Sequence, residues 1–162
     1  MSGFDEVTGR LSLAYRDLSE IPSGWATRFS DKVKELDLSH NQVRDLRGIG
    51  EFVELRILIL DNNNITSRVK IPSFSHLETF WVNHNNIENL PLFIDHIKEK
   101  LPGLLHLSMM DNDAAPSYFN GGNQDEYKEF RYIYIYIYIY IYIILLLLLF
   151  IFLYRVRLEL GS

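Results

Sequence analysis

The chain has no cysteine among its 162 residues. That excludes disulfides and thiolate metal sites. A basic excess is also missing: 16 Lys and Arg stand against 21 Asp and Glu, for a formal net charge of -5. Binding a phosphate backbone needs clustered cations, so this balance argues against a nucleic-acid partner. The opening MSGFDEVTGR has neither a basic run nor an apolar core, and no secretory signal is expected there. Catalytic signatures are missing too: there is no GxSxG, no Gly-rich phosphate loop and no HExxH. No enzyme activity, cofactor or bound metal is therefore expected. One absence is local. From Tyr132 to Tyr154 no residue is charged, whereas the chain up to Arg131 is mixed and polar. The length suits one domain of ordinary size, and the two stretches need separate arguments.

What the polar part does have is a repeat. The segments VKELDLSHNQV, LRILILDNNNI, LETFWVNHNNI and LLHLSMMDNDA begin at Val33, Leu55, Leu77 and Leu104, spaced 22, 22 and 27 residues apart. Each is apolar at positions 1, 4 and 6. Each has Asn at position 9, namely Asn41, Asn63, Asn85 and Asn112. A degenerate first copy, TGRLSLAYRDL, begins at Thr8 and has Arg16 in the Asn position. This period and pattern predict an α/β leucine-rich-repeat solenoid, a short horseshoe of about five repeats with parallel strands on its concave face. Side chains alternate along a strand, so positions 4 and 6 point into a core that neighbouring repeats complete. The Asn at position 9 is expected to turn inward and satisfy backbone groups that the turn leaves unpaired. Extracellular repeats of this kind usually carry Cys-rich caps, so the missing cysteine points to the cytoplasm.

The stretches between strands predict the convex side. Leu46, Ile49 and Phe52 sit three apart, which suits a helical or 3₁₀ turn. SRVKIPSFSH contains Pro72 and should be irregular. LPLFIDHIKEKLPG reads as an amphipathic helix with Phe93, Ile94, Ile97 and Leu101 inward, Pro91 near its start, and Pro102-Gly103 ending it.

The outward strand positions are the candidate contact surface for a protein partner: Tyr15, Asp37, Ile57, Ile59, Trp81, His84 and His106. Ile57, Ile59 and Trp81 would form an apolar island on a polar face, and such islands with aromatic anchors mark partner sites. The competing reading is that Ile59 and Trp81 only cover each other across neighbouring strands. His40, His84, His106, Asp61 and Asp111 share this face. They come from different repeats without ligand spacing, so solvated polar residues are expected and not a metal site. Asn64-Ile65-Thr66 forms a glycosylation sequon, but the repeat's own Asn-rich turn accounts for it.

LSHNQVRDL, LILDNNNIT, WVNHNNIENLPLFID and, most narrowly, LSMMDNDAAPSYFNGG followed by EYKEFRY resemble the leucine-rich melanocyte differentiation-associated protein family over about Val33 to Tyr132. The repeats alone are similar to other intracellular families as well, including the U2 small nuclear ribonucleoprotein A′ type. The resemblance implies an intracellular adaptor linked to pigment-cell differentiation, with no catalytic activity and no specified partner. It also implies a cap closing the last repeat, with Tyr-Arg-x-Tyr-Val-Ile followed by Leu-Pro-x-Leu and Leu-Asp. Here the cap starts at Tyr127 and Arg131 and then breaks off.

The expected organisation is a repeat domain with an incomplete cap at 1–131, an apolar low-complexity segment at 132–154 and a short tail at 155–162. Tyr and Ile alternate without exception from Tyr132 to Tyr142, followed by Ile143, Ile144, five Leu and more apolar residues. As a strand, both faces would be apolar and prone to aggregation. As a helix, the 23 uncharged residues could span a bilayer and anchor the protein by its tail, but Tyr suits membrane interfaces and not the bilayer centre. The third reading is a translated AT dinucleotide repeat, since Tyr can be coded TAT and Ile ATA. It fits best, because the alternation begins where the cap should continue. A membrane is then a partner only if residues 132–154 are genuinely expressed.

Overall fold

A computed structural model describes residues 3–115. Among them, six short strands form one sheet in chain order: β1 (Phe4–Asp5), β2 (Arg10–Ser12), β3 (Glu35–Asp37), β4 (Ile57–Ile59), β5 (Thr79–Trp81) and β6 (His106–Ser108). β1 runs antiparallel to β2, and every later pairing is parallel. The register has no slip. Leu11, Leu36, Leu58, Phe80 and Leu107 stand side by side, one from each parallel strand. This is the alignment that the 22- and 27-residue spacings predict, and it fits the leucine-rich-repeat fold.

Strand alternation puts this column on the core side. Leu11, Leu36, Leu58 and Phe80 are fully buried, as are Leu13, Leu38, Leu60 and Val82 two residues on. Burial thins at the last copy, where Leu104 and Leu107 are only half-buried. The connecting segments close the other side of the core. A 3₁₀ turn spans Arg47–Glu51, and Leu46, Ile49 and Phe52 are all fully buried. The Pro72 segment carries no helix or strand. A helix, which we label α2, spans Leu90–Lys100 and buries Phe93, Ile94 and Ile97. Its Asn89 cap accepts the Leu92 N–H at 3.0 Å, and Pro91 occupies the first turn, where its missing N–H costs nothing.

Two elements were not readable from the repeat. The first is α1 (Ser23–Phe29), which buries Ala26 and Phe29. The second is the β1–β2 hairpin. Asp5 organises its turn by accepting the Val7 N–H and the Thr8 hydroxyl. Gly9 follows at φ 71°, where a Cβ would meet the Lys32 carbonyl oxygen at 2.9 Å. The two elements meet through Phe4 and Phe29, whose rings lie 4.6 Å apart. Among the described residues no helix is long and apolar enough to cross a membrane. The cap and the Tyr-Ile tract lie outside the described residues.

Candidate partner-binding face

The face opposite the core is built from two strand positions and the turn that follows each strand. One strand row reads Arg10, Glu35, Ile57, Thr79, His106, and the other reads Ser12, Asp37, Ile59, Trp81, Ser108. The turn row reads Tyr15, His40, Asn62, His84, Asp111. All five have positive φ, between 51° and 58°. His, Asn and Asp tolerate this left-handed backbone better than most residues, which accounts for four of the five. Tyr15 is the exception. It is 74% exposed and its ring stacks on His40 at 4.2 Å.

The chain can make this sharp turn because the next residue repays it. Asn63 Nδ2 donates to the carbonyl oxygens of Leu38, Leu60 and Asp61, and its Oδ1 accepts the Val43 N–H at 2.8 Å. Asn85 serves Leu60, Asn83 and Ile65 in the same way, and Asn112 serves Val82, Met109, Met110 and Ile87. Asn41 supplies the backbone of the degenerate first copy. Its Oδ1 accepts the N–H groups of Arg16 and Leu18, so Arg16 needs no inward amide of its own.

A second polar row was missed by the sequence reading. Asp61 Oδ1 accepts both the backbone N–H and the side-chain amide of Asn83. Asn83 Oδ1 in turn accepts the Met110 N–H at 2.8 Å and the Ser108 hydroxyl at 2.7 Å. The residue type at this position changes from copy to copy (Ser39, Asp61, Asn83, Met110), so no repeated letter marks it.

The proposed contact residues fall into three groups. Ile57, Ile59 and Trp81 come together: Ile59 pairs in register with Trp81, and both isoleucines are half-buried while Trp81 stays 42% exposed. His84, His106 and Tyr15 are exposed, and His84 Nε2 lies 3.1 Å from Asp111 Oδ2. Asp37 differs from the open contact residue expected. It is only 8% exposed, since Arg10 pairs with it at 3.0 Å and Ser39 donates to it through both its N–H and its hydroxyl. Among the described residues no cluster of His, Asp and Glu is placed to hold a metal ion. The face therefore offers an apolar patch with polar edges.

Comparison with known proteins agrees with this architecture. The family described as Leucine Rich Repeat matches residues 54–77. The chain is 37% identical, over 103 residues, to the human leucine-rich melanocyte differentiation-associated protein, covering 60% of this chain and 52% of that protein. It is 32% identical, over 107 residues, to the U2 small nuclear ribonucleoprotein A′ of Candida albicans, covering 64% of this chain and 45% of that protein. The chain thus spans about half the length of the curated relatives it matches. The resemblance drawn from LSHNQVRDL and the later repeat segments is to the first of these.

Proposed function

We propose that the chain is a non-enzymatic adaptor that binds a protein partner on the outer face of its sheet. The observation that carries this reading is Trp81, left 42% exposed beside Ile57 and Ile59 on a face whose polar groups mostly bond one another. Large aromatic side chains in that setting are common binding anchors. In this reading the repeats curve into a short horseshoe, the face is concave, and the protein acts in the cytoplasm. Similarity to a protein named for melanocyte differentiation supports a role in pigment-cell differentiation. The test is co-purification of partners with wild type and with Trp81→Ala. Capture should weaken by about 1–3 kcal/mol while the circular dichroism spectrum is unchanged. Equal capture by Trp81→Ala and Ile59→Ser would sink the proposal.

A second reading is a ribonucleoprotein component, which the similarity to a U2 A′ protein supports. The acidic balance speaks against direct RNA contact, so RNA would enter through a protein partner. Loss of co-purification after ribonuclease treatment separates this reading from the first. We further propose that residues 132–154 are a translated dinucleotide repeat and not a membrane anchor. Sequencing complementary DNA across Arg131 tests that: a mature transcript carrying the tract with mixed Tyr and Ile codons would overturn it. Membrane fractionation would then test the tail-anchored alternative.

A further inference from the structure

We infer that the patch around Trp81 receives a cationic side chain of the partner, an arginine above all. Its stem lies on Ile59 and Trp81, and its guanidinium meets Asp61. The inference rests on the adaptor reading and adds the chemistry of the partner.

Placement comes first. Ile59 pairs in register with Trp81, and Asp61 follows Ile59 by two residues. Asp61 belongs to the outward polar network: it binds Asn83, which also accepts the hydroxyl of Ser108 on the outward row of β6. At ordinary strand dimensions Asp61 stands about 7 Å along the chain from Ile59, and Trp81 about 5 Å across from it. One long side chain can therefore touch all three.

The charge at Asp61 is uncompensated. Its Oδ1 accepts from the backbone N–H and the amide of Asn83, at 2.9 and 3.0 Å, and both donors are neutral. Those bonds fix the direction of the carboxylate without offsetting its charge. Among the described residues Oδ2 accepts no hydrogen bond, and no cation pairs with Asp61. Arg10 on β2 is held by Glu35 and Asp37, and Arg56, before the start of β4, by Glu78. On the turn row, His84 lies 3.1 Å from Asp111 and His40 stacks on Tyr15.

Desolvation then selects the sign. A partner that covers Ile59 and Trp81 also takes water from Asp61, two residues away. Covering an anion without a counter-charge costs free energy, so neutral and acidic partners are disfavoured there, and a cation offsets the cost. Trp81 narrows the choice. Its ring is 42% exposed, and an indole face attracts a planar, weakly hydrated guanidinium more readily than an ammonium. The formal charge of -5 on the whole chain draws cations in the same sense. The occupant is a single side chain, so a short peptide is enough to carry it to the site.

The experiment uses the full 162-residue chain and three labelled synthetic peptides, Ser-Leu-X-Leu-Ser, with X as Arg, its neutral isostere citrulline, or Glu. Titrations followed by the indole N–H resonance of Trp81 should show Arg binding about fivefold tighter than citrulline, with Glu weakest. Asp61→Asn keeps an oxygen for the Asn83 donors and removes the charge. It should bring the Arg-over-citrulline ratio to about one and leave citrulline binding unchanged. Trp81→Ala, followed by anisotropy of the label, should weaken the Arg and citrulline peptides together. Citrulline or Glu binding as tightly as Arg would overturn the inference, and so would an Arg preference that survives Asp61→Asn. If no peptide binds while Trp81→Ala still loses a captured protein, the inference falls and the adaptor reading stands.

Discussion

Asn41 Nδ2 donates to the carbonyl oxygen of Leu13, 28 residues earlier, at 2.9 Å. That bond joins the regular copies to the degenerate one, since the same amide also serves Leu38 and Ser39, and its oxygen serves Arg16 and Leu18. Removing the side chain leaves buried backbone groups on both copies without partners. Asn41→Ala should therefore cost about 1–3 kcal/mol. Urea denaturation followed by circular dichroism would measure it, and a change below about 0.5 kcal/mol would contradict the role assigned here.

The turn row makes a different prediction. Asn62 has φ 55°, a conformation that β-branched residues strongly disfavour. Asn62→Val should destabilise by about 1–3 kcal/mol, whereas Asn62→Gly should be close to neutral because glycine adopts this backbone freely. The contrast between the two variants is the readout. Equal costs would mean that lost side-chain contacts, and not backbone strain, decide the position.

Phe80 stands in the core column between Leu58 and Leu107 and is fully buried. Phe80→Ala should cost about 3–5 kcal/mol, since the cavity opens at a fully buried position with Leu58 on one side and Leu107 on the other. The same denaturation experiment measures it. A cost near that of an exposed substitution would show that the core column does not hold the sheet together.

Asp45 supplies a pH prediction. Its carboxylate accepts from the Arg47 Nε at 2.7 Å, and from the Arg47 N–H at 2.9 Å at the start of the 3₁₀ turn. The Arg47 side chain, and then its backbone N–H, hold Asp45 below the ordinary carboxylate range. A carboxyl group with a depressed folded-state pKa stabilises above its unfolded value and loses that contribution as pH falls through the folded value. The pair is solvent-exposed, so the effect should be about 0.5 kcal/mol or less and should shrink in high salt. Asp45→Asn should thus be slightly less stable than wild type at neutral pH and equal to it in strong acid. A stability difference that persists in strong acid would show that the charge is not its source.

The repeat was readable because its constraints recur. Val33, Leu36, Leu38, Asn41 and Val43 meet the same demands as Leu55, Leu58, Leu60, Asn63 and Ile65, so the same letters return at the same spacing. The helix at Leu90–Lys100 was readable for a local reason, its apolar period bounded by prolines. Helix α1 and strand β1 occur once, in short segments with no period to detect, and Phe4 and Phe29 acquire their role only when the fold brings them together.

The sequence by itself determined the sheet: which residues point inward, how many residues separate the strands, and where each strand turns. Those properties depend on alternation and period, which are local along the chain. Which outward residues are free to meet a partner was decided only by the tertiary structure. Asp37 and Trp81 occupy the same position in their strands, yet Asp37 is held by Arg10 from β2, 27 residues away, while Trp81 keeps its indole exposed. An outward strand position states a direction, and the neighbouring strand decides whether anything is left to bind.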